Sequence, residues 1–218
     1  MSESETEAAE FDSSSPDLTE RRWARMREII ARRLDSLTII LDHLHDPHNI
    51  SAVVRSCEAF GIQRVHVVRP GEMPEINPLV SIRSERWLEV IHHEDLEECL
   101  CQVKGKGYRL YAADVNPESE NLENLDFSGP VALVLGAEHH GLSDVSRKAA
   151  DAFYHIEMQG FTESFNVSVA AALSIYISSR LRRNELGCAG DFTAEEQEQI
   201  VHQWALDQRE RRSKKNER

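Results

Sequence analysis

Residues 37 to 68 read LTIILDHLHDPHNISAVVRSCEAFGIQRVHVV, and this stretch decides the fold. Leu37-Thr-Ile-Ile-Leu41 is a short apolar run of the kind that forms a strand buried on both faces. A helix is expected from Asn49 to about Phe60, with Asn49 suited to its N-cap and Gly61 stopping it. Val65-His-Val-Val68 then returns as a second strand. A strand, a helix and a strand within this length make a βαβ unit, which requires a parallel pair and a crossover.

The same alternation continues outward. Trp23, Met26, Ile29, Ile30 and Leu34 recur at helical spacing, so a helix is expected from about Asp17 to Leu34. Downstream, a Pro-containing loop from Pro70 to Pro78 leads to a strand near Trp87–Ile91, a helix from Glu94 to about Val103, and a strand at Tyr108–Ala113. Strand Val131–Leu135, a short helix after Leu142, strand Ala152–Ile156 and a long helix from Asn166 to about Arg183 complete the core. The expected class is α/β, a Rossmann-like and mostly parallel sheet covered on both faces and flanked by terminal helices. No internal repeat is evident.

The chain has 218 residues, 40% hydrophobic and 29% charged, enough for one domain with a sizeable core. Its apolar runs are shorter than the roughly 18–20 residues of a membrane helix, and the acidic N-terminus is unlike a secretory signal, so a cytoplasmic protein is expected. Cys57, Cys99, Cys101 and Cys188 are scattered with no C-x-x-C pair, which indicates neither a disulfide framework nor a zinc site. His43, His45 and His48 are close in sequence, but no H-E-x-x-H accompanies them, and a metal hydrolase is disfavoured. Neither the G-x-G-x-x-G nor the G-x-x-x-x-G-K-[ST] pattern occurs, against dehydrogenase and NTPase readings.

The formal charge of −13 argues against a polyanionic partner until its distribution is read. Glu3, Glu5, Glu7, Glu10, Asp12, Asp17 and Glu20 precede any basic residue in a Ser-rich stretch, expected to be disordered. Arg21, Arg22, Arg25, Arg27, Arg32 and Arg33 follow, and the chain closes on Arg209, Arg211, Arg212, Lys214, Lys215 and Arg218. Basic charge at both ends of the fold suits nucleic-acid binding. The expected division is an acidic tail over 1–16, a basic helix over 17–35, a catalytic domain over 36–184, and a basic helix or tail over 185–218.

Three further segments carry chemistry: Asn49-Ile-Ser-Ala-Val-Val-Arg55, Leu135-Gly-Ala-Glu-His-His-Gly141 and Ser164-Phe-Asn-Val-Ser-Val-Ala170. Their order and spacing resemble the SpoU/TrmH branch of the SPOUT RNA methyltransferases, over nearly everything from Arg21 to Arg183. The resemblance implies a C-terminal deep trefoil knot, S-adenosylmethionine as methyl donor, a homodimer, and 2'-O-methylation of a guanosine ribose in tRNA, guanosine-18 of the D-loop. Ribosomal RNA, and a catalytically silent RNA-binding paralogue, are the alternatives. It implies a catalytic set of Asn49, Arg55, Glu138, Ser164 and Asn166, and a cofactor set of Ala113, Gly136, Glu138, Gly141, Ile156, Met158 and Phe165, with no metal. It further implies RNA contacts at Arg22, Arg25, Arg33, His48, Arg180 and Arg182. Gly136 and Gly141 are expected to let the backbone approach the ligand. Three positions depart from the family pattern: Glu157 where proline is usual, Phe165 where leucine is, and Ala113 where threonine is. A guanidinium stays protonated and is a poor base, so Arg55 is expected to hold phosphate and polarise the hydroxyl.

Overall fold

The computed structural model describes residues 18–72, 76–137 and 140–216. The acidic tail expected over 1–16 and Glu138 lie outside these residues. Strand β1 (Leu37–Asp42) is followed by helix α2 (Pro47–Phe60) and strand β2 (Arg64–Val68), the expected βαβ unit. The cap differs from expectation. Asp46, not Asn49, is the N-cap of α2, accepting from the His48 amide at 2.9 Å, with Pro47 at the first helical position. Asn49 therefore sits inside the first turn. Gly61 ends the helix in the left-handed region at φ +80°.

After β2 come a one-turn helix α3 (Pro78–Ser81), a 3₁₀ turn over Ser84–Trp87, strand β3 (Glu89–His93) and helix α4 (Leu96–Gly105). The strand expected near Trp87 begins two residues later, because the Trp87 ring packs edge-to-face on Trp204 at 5.5 Å and its carbonyl accepts from Arg33. Strand β4 (Arg109–Ala113), a two-residue β5 (Glu120–Asn121), β6 (Val131–Gly136), helix α5 (Asp144–Ala149), β7 (Ala152–His155) and helix α6 (Val167–Leu186) follow.

All seven strands lie in one parallel sheet of order β3-β2-β1-β6-β4-β7-β5. Along the strands, residues alternate between two cores. Ile39, Leu41, Val65, Val67, Leu133 and Leu135 pack with Ile50, Val53, Val54 and Cys57 of α2 and Ala171 and Ile175 of α6. Ile40, Val68, Leu110, Ala112, Ala132 and Val134 pack with Leu96, Cys99, Leu100 and Val103 of α4. This two-residue period puts α2 and α6 on one face and α4 on the other.

Helix α1 (Glu20–Ile30) is shorter than expected and pairs with helix α7 (Ala194–Asn216), burying Met26 and Ile30 against Val201, Trp204 and Ala205. The C-terminal helix is basic in its last turns alone; it opens on Glu195 and Glu196. Between α6 and α7 the chain tucks beneath the end of α1. Asp191 accepts from the amides of Asp35 and Ser36, and a Cβ on Gly190 would stand 2.5 Å from the Arg33 carbonyl oxygen. Among the described residues, no helix is long and apolar enough to cross a membrane.

Candidate active site

In a parallel sheet, ligands gather at the carboxyl ends of strands where the strand order reverses. Here β1 ends on Asp42, paired in register with Gly136 at the end of β6. Beside them Ala113 closes β4, paired with Tyr154 of β7. The ends of β1, β6, β4 and β7 thus form one rim.

The loop leaving β6 folds back at once. The amides and carbonyls of Ala137 and Gly141 exchange hydrogen bonds of 3.0 and 2.8 Å, with Gly141 at φ +64°. A Cβ on Gly136 would stand 2.2–2.3 Å from the Gly141 carbonyl group and the Leu142 nitrogen. The chain's own backbone thus already demands glycine at 136. Asp42 anchors this loop. Its buried carboxylate accepts from the Ser143 amide at 2.8 Å and pairs with His43 Nδ1 at 2.6 Å. Asp42 was missed in the sequence, although a carboxylate closing the apolar run LTIILD was a signal: a buried charge needs donors.

On the β4 side, the Asp114 carboxylate accepts from Arg147 and, at 2.9 Å, from Asn116 Nδ2. Ile156 and Met158 are half-buried, Phe165 is 40% exposed and Ser164 is exposed. Among the described residues, 157–165 make no backbone–backbone hydrogen bond. Backbone donors and acceptors left open beside exposed Phe161, Phe165 and Val115 fit a ligand held through main-chain groups and apolar contact, such as an adenosyl group.

Asn166 caps α6, accepting from the Ser168 amide at 2.9 Å, while its Nδ2 donates to Asn49 Oδ1 at 3.3 Å. The starts of α2 and α6 are thereby joined, and two of the expected catalytic residues meet. Arg55 does not join them. It lies six residues beyond Asn49, on the solvent-facing stripe of α2 with His48, exposed and with no hydrogen bond or ion pair among the described residues. An exposed guanidinium is accessible to a phosphate.

The arginines expected to meet RNA divide in two. Arg22, Arg25 and Arg180 are exposed; Arg22 lies over the Trp87 ring, Arg25 pairs with Glu28 at 2.7 Å, and Arg180 donates to the Tyr176 hydroxyl at 3.2 Å. Arg33 and Arg182 are buried, and the expectation that they contact RNA is corrected. Arg33 donates to Gln63 Oε1 and the Trp87 carbonyl, both at 2.6 Å, pairs with Glu58 at 3.1 Å, and lies 5.0 Å from the Trp204 ring centre. Burial pushes its pKa down to about 10 against the pull of Glu58, leaving it charged at neutral pH. Arg182 donates to Ser36 Oγ at 2.7 Å and the Phe127 carbonyl at 2.9 Å. Arg33→Ala strands the Glu58 charge and the Trp87 carbonyl, so it is expected to cost about 3–5 kcal/mol in denaturant unfolding; an unchanged midpoint would contradict the structural role.

Sequence reading missed Arg183, which donates to the carbonyls of Arg32 and Phe60, both at 2.9 Å. With Arg25, Arg32, Glu58 and Gly61 it lines a cleft of about 440 Å³ between α1 and the ends of α2 and α6. Its arginines, set among apolar residues, outnumber Glu58 on the wall, which suits a phosphate backbone.

Comparison with known proteins shows the family. A profile described as the SpoU rRNA Methylase family matches residues 36–176. A tRNA (guanosine(18)-2'-O)-methyltransferase of Thermus thermophilus is 36% identical over 165 residues, 75% of this chain and 84% of the relative. The solved TrmH/SpoU tRNA modifying enzyme of A. aeolicus superposes with a TM-score of 0.80 at 30% identity, covering 87% of this chain and 97% of that one. The SpoU methyltransferase AviRb of Streptomyces viridochromogenes, solved in complex with the cofactor AdoMet, superposes at 0.60 with 25% identity, covering 72% of this chain and 64% of that one.

Proposed function

Because this chain belongs to the SpoU methylase family, we propose that it methylates the 2'-hydroxyl of a guanosine ribose in tRNA, at position 18 of the D-loop. The observation that carries the reading is the meeting of Asn49 and Asn166 at the joined starts of α2 and α6, with the exposed Arg55 farther along α2.

S-adenosylmethionine supplies an electrophilic methyl group on a sulfonium. In this proposal Ala113, Gly136, Glu138, Gly141, Ile156, Met158 and Phe165 hold it, and the open main chain of 157–165 supports that assignment. Asp42 fixes the loop after β6 through Ser143, keeping that wall of the site ordered. The packing of α2 on α6 holds the two helix starts together and the Asn49–Asn166 bond links them at the site, so the hydroxyl is oriented by groups already in place. Ser164 stands two residues ahead of this pair and adds a hydroxyl to the same wall. Arg55 binds the phosphate beside the target nucleotide and polarises the 2'-hydroxyl; a guanidinium does not take the proton, which leaves to water.

Arg22, Arg25, Arg180 and His48 are exposed and serve the RNA backbone, together with the cleft lined by Arg25, Arg32 and Arg183. The knot is supported by the placement of β6 between the earlier strands β1 and β4, and of β7 between β4 and β5. A homodimer is supported by Phe165, Val169 and Tyr176, 40–45% exposed at and along α6. The terminal helices, 17–35 and 185–218, flank the catalytic domain 36–184, and the protein works in the cytoplasm.

The test is transfer of labelled methyl from S-adenosylmethionine to unmodified tRNA transcript, with the labelled nucleotide identified by digestion. A 2'-O-methylguanosine from the D-loop is expected. Label in ribosomal RNA and none in tRNA would overturn the substrate; cofactor binding with no transfer to any RNA would overturn the activity.

A further inference from the structure

Away from the rim just described, on the α4 face of the sheet, His66 of β2, His93 of β3 and Cys99 of α4 converge. One ligating atom of each lies within 4.8 Å of the other two. Nδ1 of His66 and Nε2 of His93 share a hydrogen bond of 2.8 Å, and their rings stack with centres 5.1 Å apart. His66 and Cys99 are buried and His93 is half-buried. We infer that these three side chains form a site for a borderline transition-metal ion of the zinc class, with a fourth position open to water on the His93 side.

Register explains the convergence. Val68 pairs with His93 in the parallel ladder, and His66 stands two residues back on the same face. Cys99 is one turn into α4, whose Leu96, Leu100 and Val103 cover that face. A buried cysteine alone is ordinary core packing. A buried sulfur facing two imidazole nitrogens is a two-nitrogen, one-sulfur donor set, the chemistry that selects zinc among available divalent ions. Spacing of 66, 93 and 99 contains no C-x-x-C or H-x₃-H pattern, so nothing local in the sequence marks the site, and the expectation was of no metal.

The distances allow it. Tetrahedral zinc with bonds of about 2.0–2.1 Å to nitrogen and 2.3 Å to sulfur places neighbouring donors roughly 3.3–3.6 Å apart. The two nitrogens therefore open by about half an ångström from their hydrogen-bonded separation, a change that imidazole rotation supplies. Metal binding releases one proton, from the Cys99 thiol, and moves the proton between the imidazoles to the far nitrogen of its ring. No electron is transferred. The site lies opposite α2 and α6, so its role is to clasp the edge strand β3 and helix α4 to β2, not to act in methyl transfer.

The test uses the full chain, stripped with chelator and titrated with Co²⁺, then Zn²⁺. One equivalent of Co²⁺ is expected to give a thiolate-to-metal charge-transfer band that Zn²⁺ abolishes, and Zn²⁺ is expected to raise Tm by about 5 °C. Cys99→Ala should remove the band, and His93→Ala should weaken binding at least tenfold; cofactor binding by both variants at wild-type affinity shows that they fold. Absence of the band in the wild type, or its persistence in Cys99→Ala through Cys57, Cys101 or Cys188, would overturn the proposal.

Discussion

Arg55→Ala is expected to lower the single-turnover rate of methyl transfer to tRNA by about 10²–10³-fold, the usual cost of removing one donor aimed at developing charge. Stability should not change beyond about 0.5 kcal/mol, because the side chain is exposed and without a partner among the described residues. That separation makes the variant informative: activity lost from a protein that unfolds at the wild-type denaturant midpoint is lost at the chemical step or in RNA binding. Arg55→Lys keeps the charge and loses the planar fork, so recovery of RNA affinity without recovery of rate would separate phosphate binding from hydroxyl polarisation. A rate for Arg55→Ala within threefold of wild type would remove this residue from the site.

Gly136→Ala is expected to be the most damaging small substitution in the chain. The added Cβ would lie 2.2–2.3 Å from three backbone atoms of Gly141 and Leu142, more than 1 Å inside normal contact, and no side-chain rotation relieves a clash with backbone. The loop must leave the sheet, taking with it the Ala137–Gly141 bridge and the Asp42–Ser143 bond. A loss of about 3–5 kcal/mol is expected, together with at least a tenfold loss of S-adenosylmethionine affinity by calorimetry. Gly160→Ala is the control, since the nearest atom to its Cβ is 4.0 Å away; it should be near neutral. Equal denaturant midpoints for the two variants would show that the loop after β6 is not the rigid wall described.

What the sequence made legible follows physical range. Strands β1 and β6 were plain because each is an apolar run buried on both faces, and α2 because Gly61 punctuates it; the two-residue β5, Glu120–Asn121, is polar and too short to leave a pattern. The N-cap was misplaced by three residues because Asp46 and Asn49 are chemically equivalent caps, and the choice rests on which one precedes Pro47 at a fixed φ. Catalytic candidates came from family resemblance, and the structure brought Asn49 to Asn166 across 117 residues, a pairing that no local pattern encodes. Arg33 and Arg182 looked like surface charge because their partners, Gln63, Trp87, Ser36 and Phe127, are distant in the chain. Asp42 and Gly136 were legible as residue types, but the loop they serve exists only once β1 and β6 are adjacent.

That adjacency governs how the protein must be made. Strand β1 pairs with β2 early, yet its other edge waits for β6, which leaves the ribosome about 90 residues later. At roughly 5–20 residues per second, the open edge of β1 persists for roughly 5–20 s during synthesis, a hydrophobic strand with unpaired amides and carbonyls. Thr38 and Asp42, the polar residues of β1, and the helix α2 that covers one side are then its guards against pairing with a neighbouring nascent chain. Yield of soluble protein should therefore depend on translation speed through residues 43–130 more than on the equilibrium stability of the finished fold.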